Sequence, residues 1–87
     1  MTEEIAAFAR GLLPADRTFL AVRDELYGGS WDDVERDLRA RLAGKPYIFK
    51  LATKIEEDLE RIARLRRFEA EHGVDLRRVL ADLGLGE

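Results

Sequence analysis

Apolar residues recur along this chain at intervals of three and four, and no stretch sustains the period-two alternation of a strand, so the pattern reads as helical throughout. Ile5, Phe8 and Leu12 form the first stripe. Thr2 stands ahead of it as an N-cap, and Glu3 and Glu4 lie at the positive end of the helix dipole, which predicts a helix over about 3–12. Pro14 suits a first helical position and opens a second helix over 14–27, with Phe19, Val22 and Leu26 expected inward. Gly28-Gly29 stops that helix. Ser30, the one serine of the chain, then caps a third helix over 31–43 with the stripe Trp31, Val34, Leu38 and Leu42. Asp33 stands where the acidic half of a capping box belongs.

Gly44 closes the third helix and Lys45-Pro46 opens the next. After Pro46 there is no Gly, Pro, Asn or Ser until His72, so 46–72 reads as one helix, about 40 Å long at 1.5 Å per residue. A compact globule of this chain length has a radius of gyration near 12 Å and is roughly 30 Å across. The helix is therefore expected to overhang its own bundle. Gly73 is placed to adopt a left-handed cap that lays Val74 over Phe68. Asp75 is placed to cap a short last helix over 76–83, which folds Leu76, Val79, Leu80 and Leu83 back onto the long one.

Projected as a straight helix, the long segment puts Ile48, Leu51, Ala52, Ile55, Leu59, Ile62 and Ala63 on one face, with Arg66 in its middle. A 3.5-residue repeat instead carries the stripe through Ile48, Leu51, Ile55, Ile62 and Leu65 toward Phe68, as in supercoiled packing. The expected fold is all-α: a single domain of four or five helices, a small bundle dominated by the helix at about 46–72. Trp31 and Phe19 are expected to hold the first three helices to its base. A stripe left in water is a liability, so a second copy of the chain, or another protein, is expected to cover Ile55, Leu59, Ile62, Leu65 and Phe68. The blocks Glu56-Glu57-Asp58/Glu60 and Arg61/Arg64/Arg66/Arg67 give an antiparallel dimer its register through Arg61 and Arg64, although Glu57–Arg61 and Glu60–Arg64 also fit as pairs along one helix.

Composition narrows the function classes. The 87 residues are 46% hydrophobic and 38% charged, the profile of a packed domain rather than a disordered chain. There is no cysteine, so neither a disulfide framework nor a thiolate metal site is available. A net charge of −3 gives no general attraction to phosphate or anionic lipid, the N-terminus is acidic where a signal peptide is basic, and no apolar run reaches the ~20 residues of a membrane span. A cytoplasmic protein without membrane or nucleic-acid partners is expected.

Candidate chemistry is sparse. Glu69 and His72 have the Glu-x-x-His spacing of di-iron bundles, which a dimer could complete with Glu56, Glu57 or Glu60, but His72 also fits as a cation at a helix C-terminus. Ala40 and Gly44 match part of a helix-turn-helix, which fails because Lys50 and Thr53 would then fall at buried positions. Arg61, Arg64, Arg66, Arg67, Arg77 and Arg78 could form a phosphate-binding end. Ser30 is better explained as a cap than as a nucleophile. The sequence thus points to a protein-interaction or self-assembly module without catalysis or cofactor. The alternatives are a metal- or anion-binding enzyme with half-sites across a dimer, and a regulator that touches nucleic acid through its arginines.

Overall fold

Five α-helices account for most of the chain in the computed structural model, which describes residues 1–44 and 49–86: α1 (Glu3–Arg10), α2 (Pro14–Leu26), α3 (Trp31–Ala43), α4 (Phe49–His72) and α5 (Leu76–Asp82). No strand occurs among the described residues, and the fold is all-α. The expected opening of the long helix, Lys45-Pro46 with Tyr47 and Ile48, lies outside the described residues.

Local chemistry sets the helix ends. Thr2 Oγ1 accepts from the Ile5 amide at 3.2 Å and Ser30 Oγ from the Asp33 amide at 3.2 Å, so both side chains satisfy otherwise orphaned donors. Asp33 does not return the bond: the Ser30 amide donates to Tyr27 O, and Asp33 instead pairs with Arg36. At the start of α2 the acidic half of a capping box is present without its partner, since Asp16 Oδ2 accepts from the Leu13 amide at 2.8 Å. Gly73 has φ +63° and the Val74 amide donates to Glu69 O at 3.1 Å, the six-to-one bond of a Schellman cap that turns the chain from α4 into α5.

α3 and α4 form an antiparallel hairpin. Trp31 and Asp32, at the start of α3, meet Glu69 and Arg66 near the end of α4, and only four residues separate Gly44 from Phe49 at the other end. α1, α2 and α5 assemble around the C-terminal part of α4. Phe8 stacks on Phe68 with ring centroids 3.7 Å apart, and Ile5, Ala9, Leu12, Leu20, Ile62, Leu65, Leu76, Val79 and Leu80 belong to the same buried cluster. The molecule measures 43 × 25 × 23 Å with a radius of gyration of 13.8 Å, longer than a compact chain of this size because α4 alone spans about 36 Å.

α2 is turned differently from the sequence expectation. Its buried residues are Asp16, Leu20 and Arg23, whereas Leu26 is 74% exposed and Phe19 and Val22 are half-buried. The inward face was misread because two of its three positions are charged, and each charge finds its counter-ion on α4. A similar seam runs along α4. Ile55, Asp58, Ile62, Leu65 and Glu69 follow at alternating steps of three and four, so two carboxylates share the inward face with three apolar side chains.

Candidate functional site

Two ionic latches fix α4 against the helices around it. In the first, Asp16, with 0% of its surface exposed, accepts from Arg61 Nε at 2.9 Å, Arg64 Nη2 at 2.7 Å and the Leu13 amide. Arg61 also reaches Asp58 at 2.9 Å, and Lys54 reaches Asp58 at 3.1 Å. Burial pushes the Asp16 carboxyl up, but the Leu13 amide and the two guanidinium groups outweigh it and hold the group below the usual carboxylate range.

The second latch centres on Arg23, which is 4% exposed. Its Nη1 donates to both oxygens of Glu69 at 2.8 and 2.9 Å, its Nη2 to Asp75 at 2.9 Å and its Nε to Asp24 at 2.7 Å. The guanidinium lies 4.7 Å from the centre of the Trp31 ring, and Trp31 Nε1 donates to Glu69 at 2.6 Å. The Leu76 amide donates to Glu69 as well, at 2.8 Å. One carboxylate therefore ties α2, α3 and the first residue of α5 to the last turn of α4. Burial lowers the Arg23 pKa, but bonds to Asp24, Glu69 and Asp75 outweigh it and raise the value above that of a free arginine.

The carboxyls of Asp24 and Glu35 are also held low, each chiefly by an arginine bonded to it, Arg23 and Arg39 respectively. With native pKa values below the unfolded ones, the unfolded chain binds more protons as the medium is acidified, and the stabilisation present above the unfolded pKa is lost as pH falls through the native one. The melting temperature should therefore drop progressively below about pH 4. A melt followed by circular dichroism that stayed unchanged down to pH 2 would show that these pairs contribute nothing.

The residues expected to meet a second copy are largely occupied within the chain. Ile55, Ile62 and Leu65 are core residues, Leu59 is half-buried against that core, and Phe68 is stacked between Phe8 and His72. Arg61 and Arg64 bind Asp16 of their own chain rather than setting register. α1, α2 and α5 cover the stripe because they fold back along the last three turns of α4, which a pattern of apolar positions on one helix cannot reveal. The surface that remains lies nearer the start of α4. Every hydrogen bond from α2 to α4 falls between Arg61 and Glu69; upstream, Leu51 is 49% exposed and Leu42, on the facing helix, is half-buried. This projecting part of the hairpin, an arm of two helices, is the candidate site.

The other candidate chemistries find their residues engaged. Glu69 spends its carboxylate on Arg23, Trp31 and Leu76, and His72 Nε2 faces Glu4 at 3.7 Å, so the Glu-x-x-His pair does not converge. No group of three or more metal-ligating side chains occurs among the described residues. Of the six arginines at the distal end, Arg61, Arg64, Arg66 and Arg77 each bind a carboxylate of this chain, which weakens the case for phosphate contacts. No described helix is long and apolar enough to cross a membrane. Asp16 and Arg23 were missed as organising residues; the available signal was the acid at the third position after Leu13, with arginines on the long helix to answer it. Comparison with protein-family models, curated proteins and solved structures yields no match for this chain.

Proposed function

We propose that this protein is a non-catalytic assembly module that pairs with a second copy of itself through the α3–α4 arm. The observation that carries the reading is the half-exposed Leu51 on a stretch of α4 lying beyond the last latch from α2. Charge supports a copy as the occupant. On α4, Glu56, Glu57 and Glu60 are exposed and without an ion pair among the described residues, whereas α3 displays Arg36, Arg39 and Arg41, paired only with acids of their own helix. Such exposed i,i+3 and i,i+4 pairs are worth a few tenths of a kcal/mol and exchange readily. A two-fold arrangement of two arms sets the acidic edge of each α4 against the basic edge of the other α3 and encloses Leu51 and Leu42 in a four-helix contact.

Light scattering over a concentration series tests this. The parent should rise from its monomer mass of 9.9 kDa toward twice that value with concentration, and Leu51→Glu should remain monomeric with the parent's melting temperature, because position 51 is already half in water. A parent that stays at monomer mass throughout, or a Leu51→Glu variant that associates like the parent, would refute the reading.

A further inference from the structure

On the side of the molecule where α5 meets α2, and apart from the arm, the helices enclose a groove of about 540 Å³, within the range of small-molecule sites. Ala21, Leu80, Ala81 and Leu85 give it an apolar lining, with Arg17 and Arg77 contributing charge. The two arginines differ. Arg77 is neutralised by Asp24 at 3.4 Å and Glu25 at 3.2 Å. Arg17 has no carboxylate partner among the described residues, although each of the other four buried or half-buried arginines, Arg23, Arg61, Arg66 and Arg77, has one.

Arg17 Nη1 makes a long 3.4 Å bond to Leu85 O, and its Nε is shielded from solvent without any acceptor. The Nε–Nη2 edge of a guanidinium is the fork that meets a carboxylate through two parallel bonds, and here that edge is left over. Buried donors in native proteins almost always have partners, so an unmet one beside a groove asks for a ligand acceptor. We propose that the groove binds a monocarboxylate with a short apolar tail, the carboxylate on Arg17 and the tail along Leu80 and Leu85. A single uncompensated cation, with Asp24 and Glu25 close by on Arg77, matches one negative charge; a phosphate dianion would face those carboxylates with charge to spare.

Octanoate is a suitable probe, followed through backbone amide shifts in nitrogen–proton correlation spectra of the full chain. Octanoate should give saturable shifts at Leu80, Ala81 and Leu85, octan-1-ol should bind about tenfold more weakly or not at all, and Arg17→Gln should lose about tenfold in affinity while Arg78→Gln keeps the parent value. No saturable shift at these amides, equal binding of octanol, or an Arg17→Gln variant that binds as the parent does would overturn the proposal. Inorganic phosphate moving the same amides at lower concentration than octanoate would overturn it too. If Arg17→Gln does not fold, the octanoate and octanol titrations of the parent decide alone.

Discussion

Ile62→Asp should abolish the folded protomer rather than merely separate two copies. Ile62 is 1% exposed in the middle of the core seam of α4, between Ile55 and Leu65. Removing its side chain costs about 2–5 kcal/mol through lost burial and the cavity left behind. An aspartate there must in addition either carry an unpaired charge into an apolar surround or take up a proton to avoid it. A chain of this length holds only a few kcal/mol in reserve. The variant should show no cooperative thermal transition by circular dichroism at neutral pH, whereas Ile62→Val, which costs about 0.5–1.5 kcal/mol, should keep one. A folded, monomeric Ile62→Asp protein would mean that the residue faces a partner after all.

The second large effect is expected at Glu69. Replacing it with Ala removes the acceptor of Arg23 Nη1, Trp31 Nε1 and the Leu76 amide together, and leaves a nearly buried guanidinium with Asp24 and Asp75 as its remaining counter-ions. Breaking one side of such a pair costs about 3–5 kcal/mol, because the surviving charge stays desolvated. For a domain this small the loss corresponds to roughly 15 °C or more in melting temperature. Trp31, the single tryptophan, reports the same event, since its indole loses its hydrogen bond and its place under Arg23. Arg23→Met combined with Glu69→Leu should recover part of the loss, as replacing a whole buried pair with apolar groups is far milder than breaking it. A Glu69→Ala melt within a few degrees of the parent would show that the latch is ornamental to stability.

The helices were readable because their punctuation is local. Thr2, Ser30 and Asp75 cap through their own side chains within three residues, and Gly73 turns the chain without reference to anything distant. The orientation of α2 was not readable, because Asp16 and Arg23 face inward only by virtue of counter-ions 45 to 48 residues away. The stripe on α4 was seen, but its cover was assigned to a second copy. An apolar face demands burial without naming what buries it, and here the stacking of Phe8 on Phe68 and the return of α5 supply it from within. The overhang, by contrast, followed from helix length alone, and the 43 Å long axis reflects it.

Filtered nuclear Overhauser spectra on an equimolar mixture of carbon-13-labelled and unlabelled protein test the central claim most directly, that the distal stripe of α4 is closed inside each protomer while the α3–α4 arm meets a second copy. The expected result is contacts between copies at the methyl groups of Leu51 and Leu42, and none at Ile62 or Leu65. Contacts between copies at Ile62 and Leu65 would contradict it, because those side chains would then be packing across an interface instead of within the chain.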